Sequence, residues 1–126
     1  MDDRQSALRE KLEQLLKEAA EVEVELSRTS GAIVGIPHYS VIESRAHELG
    51  RQLSREVQER QMGESVASTP PRAKCPTCGT VCELKGKKRK ITSIDGAVWI
   101  QELKGRCPSC RRDFFPPPGV AGAGCA

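Results

Sequence analysis

Apolar positions recur at helical spacing near the start of the chain. Leu8, Leu12, Leu15, Ala19, Val22 and Leu26 stand 4, 3, 4, 3 and 4 apart, with Glu, Lys and Arg filling the faces between them. No Gly or Pro interrupts the run. The pattern predicts one helix over residues 4–28 carrying a heptad seam. At ~1.5 Å per residue it makes a rod of roughly 37 Å. Such a seam serves either a neighbouring helix of the same chain or a second copy, as a homodimer through the N-terminal helices. It is near the minimum length for a coiled coil and has an Ala at its centre, which favours the intramolecular pair.

The stretch "TSGAIVGIPHYS" breaks the period, because Gly31, Gly35 and Pro37 stop a helix. Its apolar residues predict a loop that folds back. Ser40 and Glu43 then read as a capping box that opens a second helix. Ile42, Ala46, Leu49, Leu53 and Val57 line one face of it, and it is expected to end near Met62, before Gly63. Two such helices predict an antiparallel hairpin that buries Leu against Leu. "GESVASTPPRA" follows as a linker without periodicity. After it the period changes to two: "KKRKITSI" and "AVWIQELK" alternate polar and apolar residues around Asp95-Gly96. An Asp-Gly pair between alternating runs predicts a β-hairpin.

The expected organisation is therefore a helical hairpin over 1–62, a linker over 63–73, a small β module over 74–118 and a disordered tail over 119–126. The fold class is α+β. Only 3% of the 126 residues are aromatic and 37% are hydrophobic. A module of about 45 residues with so few large side chains needs a metal or disulfides to stand. Charge is divided along the chain. Residues 1–62 carry 9 Lys/Arg and 12 Asp/Glu, whereas residues 63–126 carry 11 Lys/Arg and 5 Asp/Glu. The basic half suits a polyanion and the acidic half a different partner. The opening "MDDRQSALRE" has no apolar leader, and no apolar run reaches the ~20 residues of a membrane span. A cytoplasmic chain with no membrane partner is expected, where paired cysteines hold metal more often than they form disulfides.

Five of the six cysteines lie between Lys74 and Phe115. Cys75-Pro-Thr-Cys78 and Cys107-Pro-Ser-Cys110 are separated by 28 residues of hairpin pattern, so both pairs return to one place. Disulfides, a redox pair and unrelated thiols are the alternatives. The paired spacing favours one structural Zn2+ held by Cys75, Cys78, Cys107 and Cys110, with no open coordination position and hence no catalytic role for the metal. Cys82 competes by position, but reads as a half-buried strand residue. His38 and His47 lie outside the module.

Lys85, Lys87, Lys88, Arg89 and Lys90 form a basic run, joined by Lys104, Arg106, Arg111 and Arg112. Trp99 and the Phe114-Phe115 pair lie nearby. Gathered in one module, these charges suggest a nucleic-acid surface, with duplex DNA of low sequence preference as the partner; Trp99 is expected to pack the hairpin. No phosphate loop, nucleophile elbow or zincin motif is present, so no enzyme activity is expected.

The segments "IPHYSVIESRAHELGRQLSREVQERQ", "CPTCG" and "TSIDGAVWIQELKGRCPSCRRDFFP" resemble the N-terminal region of ISKra-type insertion-sequence transposases. In that family a helical segment precedes a zinc ribbon whose second knuckle runs into a "CRRxFFP"-like ending. The resemblance spans about residues 36–117 and implies that Cys75, Cys78, Cys107 and Cys110 are zinc ligands. It also implies a following Asp/Asp/Glu nuclease using divalent metal. The sequence stops where that should begin, and "PPPGVAGAGCA" departs from the expected continuation. The expectation is a non-catalytic DNA-binding fragment. The alternatives are a coiled-coil and zinc-ribbon adaptor for another protein, like several bacterial proteins of that architecture, or a transposase remnant without function.

Overall fold

The computed structural model describes residues 2–116. The expected tail at 119–126, with Cys125, lies outside the described residues. Two helices, α1 (Asp3–Thr29) and α2 (Tyr39–Ser68), precede four strands: β1 (Arg72–Lys74), β2 (Val81–Ser93), β3 (Gly96–Cys107) and β4 (Arg112–Phe114). The fold is α+β. The chain divides into two compact units at Ala46/His47.

In the first unit, the Asp2 carboxylate caps α1 by accepting the Gln5 N–H at 2.7 Å. Gly31 turns the chain out of the helix at φ 78°. Ile33 then folds back, its N–H donating to the Ser27 carbonyl at 2.9 Å, and Ser27 and Ile33 are buried. Arg45 reaches Glu23 at 2.7 Å. The start of α2 is capped by His38 rather than by the expected Ser40–Glu43 box. The His38 Nδ1 accepts the Ser40 N–H at 3.2 Å. Along α1 the seam residues Leu8, Leu12, Leu15, Val22 and Leu26 are 49–63% exposed.

In the second unit, α2 continues through Gly63 to Ser68, six residues beyond its expected end. Its partly buried positions are Leu49, of the predicted apolar face, and Arg51, Ser54, Arg55, Gln58, Glu59, Met62, Gly63 and Val66, a stripe at helical spacing. It is not the apolar face that periodicity picks out. Leu53 and Val57 stay about half exposed. The stripe binds the β2–β3 hairpin through polar groups. Ser54 Oγ donates to Asp95 Oδ2 at 2.5 Å, Arg55 Nη1 to the Asp95 carbonyl at 2.9 Å, and Gln58 Nε2 to Ser93 Oγ at 3.3 Å. Glu59 accepts the Trp99 N–H at 3.0 Å. These bonds satisfy a strand edge and a turn that would otherwise face water.

The four strands form one antiparallel sheet in the order β1-β2-β3-β4. The long hairpin pairs Ser93 with Gly96 at its tip and Leu84 with Gly105 near its base. Its turn residues are Ile94 and Asp95, one residue earlier than Asp-Gly predicts. Gly96 follows with φ 115°, a conformation favouring Gly. At the base, β1 covers β2 and β4 covers β3. Two small apolar centres result. Val98 and Ile100 are buried on the face that carries Ser93, the α2 side. Cys75, Cys82, Cys107 and Phe114 cluster at the base, with Ala73, Leu84 and Cys110 against them.

Candidate metal centre and basic hairpin

The two Cys-Pro-x-Cys segments fold as near copies of each other. Each leaves a strand (β1 or β3), and each closes a turn with a backbone bond from the residue after its second Cys. Gly79 N–H donates to the Cys75 carbonyl at 2.9 Å, and Arg111 N–H to the Cys107 carbonyl at 2.8 Å. Both closing residues have left-handed backbones, Gly79 at φ 78° and Arg111 at φ 57°. Gly accepts that conformation freely, whereas Arg carries ~1–2 kcal/mol of steric cost there. The hairpin brings the two turns together. The Sγ atoms of Cys75, Cys78, Cys107 and Cys110 all lie within 4.8 Å of one another. Cys75–Cys110 is 3.8 Å and Cys78–Cys107 is 3.5 Å. Four sulfurs at ~2.3 Å from a tetrahedral ion would stand about 3.8 Å apart, so the cluster is sized for one metal ion.

The thiols are already divided by their surroundings. The Thr80 hydroxyl, 3.1 Å away, and the Thr80 N–H lower the Cys78 thiol to about 6. Backbone N–H groups of Cys78 and Thr77 lower Cys75. Hydrogen-bond sharing with Cys78, followed by burial, pushes Cys110 up to about 12. Cys78 can thus meet a metal as the thiolate, whereas Cys110 must shed its proton to ligate. Cys82 stands apart from this set. It is buried, its Sγ donates to the Thr80 carbonyl at 3.3 Å, and burial raises its thiol. It is one of the small hydrophobes of the base. His47 is exposed on α2.

The nine basic residues do not form one surface, because strand alternation divides the run. Lys85, Lys87 and Arg89 share a face with Lys104, Glu102 and Ile100, whereas Lys88 and Lys90 share the opposite face with Gln101 and Trp99. Arg89 pairs with Glu102 at 2.6 Å, and Lys104 and Arg106 pair with Asp113 at 3.0 and 3.1 Å. Lys104, then Arg106, hold the Asp113 carboxyl below its ordinary range. Among the described residues Lys85, Lys87, Lys88, Lys90, Arg111 and Arg112 have no carboxylate partner, and all six are exposed. A groove of about 630 Å³ at the base is lined by Lys85, Lys87, Lys104, Arg106 and Asp113 among others.

Several residues that shape the site carry little signal in the sequence. Gly105 lies under the Phe114 ring, where an added Cβ would meet Phe114 Cζ at 2.6 Å and Leu84 Cδ2 at 2.9 Å. Glu102 and Asp113 act only through the register, whereas Thr80 acts locally on Cys78, two residues before it. A hairpin register anchored on the tip places Glu102 opposite Lys87 and beside Arg89, so that pairing is in principle predictable. Trp99 is 54% exposed, on the face opposite Val98 and Ile100. No helix among the described residues is long and apolar enough to cross a membrane. Comparison with known proteins finds no matching family model, no matching curated protein and no matching solved structure.

Proposed function

We propose that this chain is a non-catalytic nucleic-acid-binding protein, in which a four-cysteine zinc ribbon holds a basic hairpin against the phosphate backbone of DNA. The observation that carries the proposal is the cluster of Cys75, Cys78, Cys107 and Cys110 at the base of a hairpin whose Lys85, Lys87, Lys88 and Lys90 have no carboxylate partner among the described residues. An all-thiolate set suits zinc over harder cations, and four protein ligands leave no open position. The ion would tie the two knuckles together, and so fix both ends of the hairpin that presents the lysines. Lysines on both faces, with no base-reading helix beside them, fit backbone recognition of low sequence preference. The resemblance of residues 36–117 to the N-terminal region of ISKra-type transposases is part of the same proposal and is the reason to name DNA.

The test is affinity for a duplex oligonucleotide over a salt series. Wild type is expected to weaken steeply as salt rises. Changing Lys85, Lys87, Lys88 and Lys90 to Gln is expected to flatten the log–log slope by up to about 3.6, roughly 0.9 for each phosphate no longer neutralised. Equal slopes for the two proteins, or no binding at low salt, would show that the lysines only solubilise the hairpin.

A further inference from the structure

The hairpin has a covered face and an open one. On the face carrying Ser93, polar groups of α2 approach, and Val98 and Ile100 are buried. On the other face Lys88, Lys90, Thr92, Ala97, Trp99 and Gln101 are all exposed. That face has one aromatic ring, two lysines without carboxylate partners, and no acidic residue among those six. Lys90 and Trp99 are directly cross-strand. The Trp99 N–H turns away from β2 to Glu59, so the two form a non-hydrogen-bonded pair, in which side chains stand closest. Glu59 and the β2 pairing fix the backbone beneath the indole, so the ring is presented from a rigid strand.

We infer that Trp99 is a stacking platform for an unpaired nucleotide base, with Lys88 and Lys90 on the neighbouring strand β2 holding its phosphate backbone. This rests on the nucleic-acid reading above and deepens it: the ligand of this face is single-stranded nucleic acid, whereas the paired bases of a duplex keep their faces buried in their own stack. An apolar ring among cations suits a base, which offers a π-face whatever its identity, better than it suits an acidic peptide. Trp99 is the chain's single tryptophan, so its emission reports on this position alone.

The experiment titrates the zinc-loaded full chain with a thymidine oligonucleotide and with a duplex of equal length at low salt. Tryptophan emission and anisotropy of a label on the nucleic acid are read together. The single strand is expected to quench Trp99 to saturation in step with binding. Trp99→Ala is expected to weaken single-strand binding about 5- to 150-fold while leaving duplex affinity within about twofold, and Trp99→Phe to restore most of the loss. Retained zinc content and circular dichroism identify folded variants. If the single strand binds with unchanged emission and Trp99→Ala binds equally well, the stacking inference is overturned and the backbone-binding reading survives. If neither nucleic acid binds, both fail.

A separate observation concerns α1. Its seam residues Leu8, Leu12, Leu15, Val22 and Leu26 are exposed, and Leu16 beside them is 46% exposed. The positions flanking the seam are sorted by charge: Arg4, Arg9 and Lys11 lie in the N-terminal half, and Glu18, Glu25 and Glu23, the last already paired with Arg45, in the C-terminal half. In a parallel pair, Arg4 would oppose Arg9 of the second copy and Glu18 would oppose Glu23 of it, like against like. In an antiparallel pair the basic half of each helix lies along the acidic half of the other. The geometry points to a second copy of this chain covering the seam of α1 in antiparallel orientation, about a twofold axis.

Sedimentation equilibrium of the full chain tests this. Wild type is expected to dimerise. Changing Arg4, Arg9 and Lys11 to Glu is expected to weaken the dimer more than tenfold, although acids near a helix N-terminus favour the helix itself. Adding Glu18→Lys and Glu25→Lys is expected to recover it. A monomer at every concentration overturns the inference. So does a charge-reversed variant that dimerises like wild type, or a compensated variant that does not recover.

Discussion

Replacing Gly105 by Ala is expected to weaken zinc binding without touching a ligand. Gly105 pairs with Leu84 on one side and Phe114 on the other, at the centre of the ribbon base. A Cβ there would stand 2.6 Å from Phe114 Cζ, 2.8 Å from Phe114 Cε1 and 2.9 Å from Leu84 Cδ2. Real side chains do not approach so closely, and Phe114 is itself buried against Cys107 and Cys82. The ring must shift, and the cysteines beside it shift with it. Overpacking of this kind costs ~1–3 kcal/mol. On the zinc-ribbon reading proposed above, the small core folds only with its metal, so the strain would appear in metal affinity. At ~1.4 kcal/mol per decade, zinc affinity falls about 5- to 150-fold. The assay is competition with a chromophoric chelator of known zinc affinity. Gly86→Ala is the control, because a Cβ at Gly86 meets nothing within 4 Å on the same hairpin. It is expected to stay within about twofold of wild type. Gly105→Ala with wild-type affinity, or an equal loss for Gly86→Ala, would show that the close packing at Gly105 does not hold the cysteines in place.

Four further outcomes are expected. Zinc should be lost with Cys78→Ser and kept with Cys82→Ser, because Cys82 lies outside the four-sulfur cluster; metal analysis of the purified variants decides it. Zinc binding near neutral pH should release protons, since Cys110 is pushed up to about 12 and must ionise to ligate. Calorimetry in buffers of different ionisation enthalpy measures that release, and affinity should fall as pH drops toward about 6, where Cys78 regains its proton. Gly79→Ala should cost ~1–2 kcal/mol of ribbon stability at its positive φ, whereas Arg111→Gly should be neutral or stabilising, as read by chelator-induced unfolding. Chelation should abolish the near-ultraviolet signal of Trp99 while the helical far-ultraviolet signal largely persists, since α1 has no residue in the metal cluster.

The parts legible in the sequence are those set by local chemistry. Two Cys-Pro-x-Cys turns around an alternating pattern contain the four-cysteine cluster almost completely, because each turn closes on its own backbone. Helix α1 is likewise written in its periodicity. What escaped depends on neighbours distant in the chain. Gly63 looks like a stop, yet α2 passes through it. A Cβ at Gly63 would stand 3.7 Å from the Gln101 amide, an ordinary contact, so nothing at that position stops the helix. Apolar spacing marks Leu53 and Val57 as buried. The hairpin instead offers polar groups at Ser93, Asp95 and Trp99 that its own strands leave open to further bonding, and those select the opposite, polar stripe of α2. The basic run reads as one patch until the register divides it and gives Arg89, Lys104 and Arg106 carboxylate partners. Composition counts charges, whereas only pairing shows which of them remain for a ligand.

A closed four-cysteine zinc site that organises the basic hairpin has a distinct spectroscopic signature. X-ray absorption at the zinc edge, on the zinc-loaded full chain with metal content measured on the same sample, reads it. One zinc per chain is expected, with a first shell of four sulfurs at ~2.3 Å that is unchanged in Cys82→Ser. A shell containing nitrogen or oxygen, or one that loses a sulfur when Cys82 is replaced, would contradict a site built from Cys75, Cys78, Cys107 and Cys110 alone.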